Sequence, residues 1–297
     1  MGLSVPDVDQ LAGRYADLGG VRLHYVDVGD GPLVVLLHGF PQFWYGWRHQ
    51  IPALANAGFR VVAPDTRGYN LSAKPPGVAS YALGAVASDV AALIESLGAR
   101  NAAVVGHDWG AAVAWRLATR YPALVRRLAA ANGPHPRAFA RAIRNPDQLR
   151  RSWYIGAFQL PWLPELALRA RDFAVVGRVF RRDPVRPGAF TAEDVRRHKE
   201  ALARPGALTA AINYYRAALR RPRAAVLADG DARVAQPALV IWGDRDAYLR
   251  RSLADGMRRW VPNVHVAHIP DASHWVLADA PERVNELLVE FLGPDRG

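Results

Sequence analysis

The sequence predicts an α/β fold: a mostly parallel, twisted sheet flanked by helices, with a helical block inserted before the last strands. Three observations carry this. Short, uninterrupted apolar runs alternate with helical patterns over the first third of the chain, as expected of parallel strands buried on both faces. A long stretch rich in helical periodicity and proline follows, with no convincing strand. Strand-like runs then return near the C-terminus. Alternation broken in this way is one α/β domain carrying an insertion.

In order, Leu33–Leu37 and Arg60–Pro64 are the first continuous runs, the second stopped by Asp65-Thr66-Arg67-Gly68. Val90, Ala91, Leu93, Ile94 and Leu97 follow a helical period over Ser88–Leu97, with Gly98 as its stop. Ala102–Gly106 is the next strand, Ala111–Arg120 a helix ended by Tyr121-Pro122, and Leu128–Ala131 a strand before Asn132-Gly133-Pro134. From about Pro136 to Arg233, helical stretches are broken by Pro161, Pro164, Pro184, Pro187, Pro205 and Pro222. Ala238–Trp242 and Val264–Ile269 are the returning strands, and a helix spans roughly Pro281–Leu292. The expected division is core over residues 1–135, helical cap over 136–232 and core again over 233–297.

Composition narrows the function classes. Hydrophobic residues make up 51% of the 297, enough for a large core. No apolar run is long enough to cross a bilayer. Met1–Gln10 has neither a basic cluster nor an apolar core, so no signal peptide is predicted and a cytoplasmic location is the default. The absence of cysteine excludes disulfides, thiolate nucleophiles and Cys-ligated metals. No His-Glu-x-x-His motif is present; neither a metal nor a cofactor is expected. The net charge of +11 is nearly all Arg, since Lys occurs only at 74 and 199. The arginines fall in scattered pairs such as Arg150-Arg151 and Arg196-Arg197 without a nucleic-acid-binding motif. A solvated basic surface is expected, not a nucleic-acid partner. The oligomeric state is left open, a homodimer included.

Gly106-His107-Asp108-Trp109-Gly110 carries the chemistry. Gly-x-nucleophile-x-Gly between a buried strand and a helix is the nucleophile elbow of the α/β-hydrolase fold. Its glycines allow the tight turn that lifts the central side chain above the sheet. Here that residue is Asp108, and a carboxylate at a helix N-terminus needs no base to attack an sp³ carbon. His38-Gly39-Phe40-Pro41 follows the first buried strand, where such a loop supplies one oxyanion N–H and the residue after the nucleophile the other. These are assigned to the backbones of Phe40 and Trp109. An acid and a histidine should follow in that order. Asp244 and Asp246 both lie after the strand ending at Trp242, and spacing does not choose between them. His274 lies after the last strand; His265 and His268, inside that strand, read as packing or edge residues.

These motifs resemble the epoxide hydrolases of the α/β-hydrolase superfamily over essentially the whole chain. His38-Gly39-Phe40-Pro41-Gln42, Gly106–Gly110, Asn213-Tyr214-Tyr215-Arg216, Gly243-Asp244-Arg245-Asp246 and Ser273-His274-Trp275 agree with the family in order. Phe158–Glu165 is similar to the cap of the family's vertebrate members. The resemblance implies Asp108 as nucleophile, His274 as base and Asp246 as its partner. It also implies Tyr154 and Tyr215 as cap phenols that bind the oxygen of an apolar epoxide, with water as the second reactant. Tyr214 is expected to pack, and Tyr81 and Tyr248 have no motif behind them. Asn70 stands where the family often has Gly, but Asn tolerates left-handed geometry; Ala111 replaces a frequent Gly at the helix start. Phe40, Trp44, Trp109, Trp153, Trp162 and Trp275 lie in or beside the motifs and predict an aromatic-lined pocket. The rival readings are a haloalkane or haloacid dehalogenase using the same Asp, and a non-catalytic ligand-binding protein on the same fold.

Overall fold

The structure, a computed structural model, describes residues 8–220 and 233–293. The expected cap boundary at 232, Pro222, and most of Met1–Gln10 lie outside the described residues. Among the described residues eight strands form one sheet: β1 Gly13–Asp17, β2 Arg22–Val28, β3 Leu33–Leu37, β4 Arg60–Pro64, β5 Ala102–His107, β6 Val125–Ala131, β7 Ala238–Gly243 and β8 Val264–Ile269. Their spatial order is β1-β2-β4-β3-β5-β6-β7-β8. The β1–β2 and β2–β4 pairs are antiparallel, and every pair from β4 to β8 is parallel.

Continuous apolar strands have a simple physical cause. Side chains alternate between faces, and both faces are covered. Leu33, Val35 and Leu37 pack with Val62, Val104 and Leu128 beneath α2 (Leu83–Ser96) and α3 (Trp109–Arg120). Val34 and Leu36 join Val61, Ala103 and Val105 on the other face, against α1 (Gln50–Asn56) and the C-terminal helix Pro281–Leu292.

Between β6 and β7 stand α4 (Pro136–Ala142), α5 (Pro146–Arg151), α6 (Trp153–Ala157), α7 (Leu163–Arg182), α8 (Ala192–Ala203) and α9 (Ala207–Leu219). The α7 span is broken by left-handed residues at Arg171–Phe173. No strand occurs among the described residues of this block. Its apolar residues, Phe180, Leu208 and Ile212 among them, belong to the same cluster as β5 and α3, so the block sits on the sheet's α2–α3 side. After β7 come α10 (Ser252–Asp255), α11 (Val276–Asp279) and α12, the C-terminal helix already given. Among the described residues, no helix is long and apolar enough to cross a membrane.

Several elements differ from the sequence expectation, each for a physical reason. The β1–β2 hairpin was not expected. Its edge strand β1 is almost wholly exposed and so carries no apolar signature. The signal was Gly19-Gly20, whose φ values of 65° and 111° make the turn. β6 starts at Val125, three residues early, because the half-buried Arg126-Arg127 disguise it. α2 starts at Leu83, with no capping side chain to mark it. α3 starts at Trp109, directly on the elbow.

The elbow depends on close packing of α3 against β3. A β-carbon at Gly110 would stand 1.9 Å from the Leu37 carbonyl oxygen and 2.7 Å from that of His38. Gly110→Ala is expected to destabilise by about 3 kcal/mol or more in urea unfolding, at the upper end for overpacking. Gly156→Ala, in α6 with nothing within 4 Å, is the control and should be neutral or better. Equal unfolding midpoints for the two variants would refute the close-approach reading.

Candidate active site

At the end of β5 the chain turns so sharply that Asp108 takes φ 52° and ψ −117°, a conformation costly for a residue with a β-carbon. The turn is made possible by Gly39 as well. A β-carbon there would lie 2.4 Å from Asp108 Cβ, so only glycine lets the two loops touch. In consequence, the Phe40 N–H donates to Asp108 Oδ1 at 2.9 Å, and the Trp109 N–H also supports this carboxylate. Asp108 makes no cap to its own helix, so helix capping does not explain the residue. His38 holds the loop from behind: it is buried, Nε2 accepts from the Thr66 N–H at 3.1 Å, and burial lowers its pKa. The Phe40-Pro41 peptide is cis.

Asp108 Oδ2 faces His274 Nε2 at 3.6 Å. On the far side of the ring, His274 Nδ1–H donates to Asp246 Oδ2 at 2.8 Å. The choice left open by spacing falls on Asp246, because Asp244 turns away to His268 at 2.6 Å and to Arg251. His265 and His268 have His-x-x-His spacing, but a strand sends residues three apart to opposite faces, and His265 is exposed. Among the described residues, no group of three or more His, Asp or Glu is placed to hold a metal ion.

Asp246 is buried and fully served. Oδ2 also accepts from Asn132 Nδ2 at 2.7 Å, and Oδ1 accepts from the N–H groups of Tyr248 and Leu249 at 2.7 and 2.9 Å. Burial opposes its charge, yet His274 and these donors hold its carboxyl below the usual range. For His274 burial disfavours the cation, but Asp246, its hydrogen bond and Asp108 outweigh this and push the pKa up to about 9. Burial raises the Asp108 pKa, while His274 and the two loop N–H groups pull it down. Behind the triad, His107 donates through Nε2 to the His274 carbonyl at 2.8 Å; burial and the His274 charge drop its pKa to about 3.

Tyr154 from α6 and Tyr215 from α9 come together with ring centroids 5.8 Å apart. Tyr215 stands edge-on to Trp109 at 5.0 Å and to Phe40 at 5.5 Å. Burial first, and then the charge of Asp108, raise both phenols' pKa values well above the ordinary one. Tyr214 points away and donates to the Arg67 carbonyl at 2.8 Å. Arg216 explains why the two cap motifs occur together. It pairs with Glu165 at 2.6 Å and donates to the Phe158 and Leu160 carbonyls, while Gln159 donates to the Tyr215 carbonyl at 3.2 Å. The turn after Tyr154 is thereby fastened to the helix bearing Tyr215. Asn70, at φ 40°, adopts the left-handed geometry expected of it and donates to Asp65 at 2.8 Å.

A family model described as the alpha/beta hydrolase fold matches residues 32–281. The AB hydrolase superfamily protein YfhM of Bacillus subtilis is 44% identical over 288 residues, spanning 96% of this chain and 99% of that one. Epoxide hydrolase 4 of Homo sapiens is 37% identical over 281 residues, spanning 92% and 76%. A crystal structure of Bacillus megaterium epoxide hydrolase with an inhibitor superposes with a TM-score of 0.84 at 35% identity, over 94% of this chain and 99% of that one. The chain belongs to the epoxide hydrolases of the α/β-hydrolase superfamily.

In this epoxide hydrolase the aromatic surroundings differ from the sequence expectation. Trp153 and Trp162 are 70% and 68% exposed and do not line the site. Trp44 packs on Phe43 and Tyr45, and Trp275 is buried behind His274 against Phe180. Phe40 and Trp109 remain, joined by Phe158, the first residue of the cap stretch Phe158–Glu165, and by Tyr248, which no motif marked. Tyr248 lies edge-on to His274 at 5.2 Å. The sequence signal for it was only its place two residues after Asp246.

The raised His274 pKa makes a stability prediction. A histidine at 6.5 unfolded and about 9 folded contributes stability fully present below pH 6.5 and lost as pH rises through 9. Between those limits this epoxide hydrolase should lose on the order of 3 kcal/mol relative to His274→Gln, by denaturant titration at each pH. Parallel stability curves for the two proteins would refute the buried imidazolium.

Proposed function

We propose that the protein opens an apolar epoxide to a vicinal diol through an ester on Asp108, within a helical cap spanning roughly residues 136–232. The observation that carries the reading is the pair of cap phenols, Tyr154 and Tyr215, with ring centroids 5.8 Å apart and Tyr215 edge-on to the Phe40 and Trp109 rings that flank Asp108. Burial and the Asp108 charge keep both protonated. An epoxide leaves as an alkoxide, a poor leaving group that needs a proton donor. A halide needs none. Two buried, firmly protonated phenols suit the alkoxide, which favours this reading over a dehalogenase.

Asp108 Oδ1 is already held by Phe40 N–H, so Oδ2 is the oxygen free to attack a ring carbon. Tyr154 and Tyr215 donate hydrogen bonds to the ring oxygen as its C–O bond breaks, and one phenol passes its proton to it. Ester formation then changes the electrostatics. While Asp108 is a carboxylate, its charge 3.6 Å from Nε2 helps keep His274 protonated. Conversion to a neutral ester removes that charge and lowers the His274 pKa, so the ring gives up its proton, which passes through solvent to the phenolate left by ring opening. The phenol is restored and His274 becomes a base. Water attacks Asp108 Cγ, giving its proton to His274 Nε2, and Asp246 stabilises the imidazolium. The tetrahedral oxyanion forms on Oδ1, between the Phe40 and Trp109 N–H groups, each typically worth about 3–4 kcal/mol. The Cγ–Oδ2 bond breaks as His274 returns the proton to Oδ2, and the diol leaves with the oxygen that belonged to Asp108. The proton of the regenerated Asp108 carboxyl passes to His274, restoring the starting pair. A non-catalytic protein would have no use for the strained elbow, whose cost is about 1–3 kcal/mol.

A single turnover of an aryl epoxide in heavy-oxygen water is expected to yield unlabelled diol and a labelled Asp108. Label in the first diol would overturn the ester mechanism. His274→Gln should accumulate the ester, visible by intact mass, and Asp108→Asn should form none. Tyr154→Phe and Tyr215→Phe should each slow ester formation by roughly 10²-fold or more. Halide release from a haloalkane, with no diol from any epoxide, would move the assignment to the dehalogenases.

A further inference from the structure

The loop that carries the triad acid, residues 246–250, is held by the cap as well as by the core. Gln148 of α5 is fully buried and spans two of its backbone groups. Its Nε2 donates to the Tyr248 carbonyl at 2.8 Å, and its Oε1 accepts from the Arg250 N–H at 3.0 Å. Arg151, on the same helix, donates to the Asp246 carbonyl at 3.0 Å. Just after α7, its C-cap residue Asp183 accepts a short hydrogen bond from the Tyr248 hydroxyl. The gripped residue is the one that aims the acid, since the Tyr248 N–H is a donor to Asp246 Oδ1. Its ring also stands edge-on to both His274 and Tyr154, at 5.2 and 5.8 Å.

We infer that Gln148 and Tyr248 are positioning residues through which the seated cap sets the aim of the Asp246–His274 pair. Apolar side chains would close a cap–core seam without selecting one loop position, whereas a buried amide is satisfied in only one. The cap that supplies Tyr154 thus also holds the acid of the base pair. A cap lifted from the core loosens both, so ring opening and ester hydrolysis draw on the same closed state. The first half of this statement concerns geometry alone; its effect on ester hydrolysis rests on the epoxide reading.

The test is an NMR titration of the His274 ring in the full chain. The groups that face this ring are Asp246, Asp108, His107 and Tyr248 from the core, and Asp183 from the cap. Tyr248→Phe keeps the ring contacts and loses only the hydroxyl bond; Gln148→Ala loses both loop bonds; Asp183→Asn keeps an acceptor. The His274 pKa is expected to fall by about one unit in Gln148→Ala and less in Tyr248→Phe, while Asp183→Asn, which keeps the hydrogen bond but removes a charge that raises this pKa, shows how far loss of that charge alone lowers it. In single-turnover kinetics, ester hydrolysis should slow about tenfold in Gln148→Ala while ester formation stays within about twofold. The acidic limb of the hydrolysis rate should move to lower pH. An unchanged titration in both Gln148→Ala and Tyr248→Phe, or equal slowing of the two steps, would overturn the inference. Absence of ester from wild-type protein would instead overturn the epoxide reading, and the titration would still decide the positioning role.

Discussion

One buried imidazole lies between two carboxylates, and much of the site's architecture serves that arrangement. Unpartnered, charges at this depth would be costly, and each would shift toward its neutral form. Here every member is held by specific donors or acceptors. Asp246 receives Asn132, two backbone N–H groups and His274. Asp108 receives Phe40 and Trp109 N–H groups. The cluster contains more negative than positive charge, which is why His274 rises to about 9 against the pull of burial.

The sheet makes the arrangement attainable because its parallel strands deliver their C-terminal ends to one edge. β3 brings the Gly39–Phe40 loop, β5 brings Asp108, β6 brings Asn132, β7 brings Asp246 and β8 brings His274. These residues are far apart in the chain, and neighbouring strands bring them within hydrogen-bonding reach. Close approach matters as much as topology. Gly39 and Gly110 are places where even one methyl group would collide with a neighbouring main chain or with Asp108.

The helical block brings to Asp108 two phenols that the rest of the core does not supply. Its phenols set what the carboxylate faces, and Arg216 locks the two cap segments that carry them. The cap also reaches back into the core at Asp279, which accepts from the Arg186 N–H and from the Ser273 N–H beside His274. Cap and core are therefore one packed body around the site, and their shared apolar cluster agrees with this.

Much was legible in the chain itself. Glycine at fixed offsets around Asp108, a buried run before it and a helix after it state the elbow locally, because a tight turn is a property of a few consecutive residues. The parallel strands were legible for the same reason: burial on both faces leaves an unbroken apolar run. What escaped were features whose cause lies elsewhere in the chain. The exposed edge strand β1 has no apolar pattern to show. Trp153 and Trp162 lie in or beside the motifs, as pocket residues would, and stand in solvent. Asp244 and Asp246 are indistinguishable by spacing, and only the turn after β7 sends one to His274 and the other to His268. Gln148 and Tyr248 carry no motif, and their roles come from contacts a hundred residues apart. The sequence by itself determined the elbow that carries Asp108 and the sheet that presents it, because both are local patterns of burial and backbone freedom. The resemblance of the motifs pointed to Asp246, Tyr154 and Tyr215, but how these side chains come together with Asp108, and which aromatics surround them, was decided only by tertiary structure, because contact between distant segments is a matter of long-range packing that no local pattern encodes.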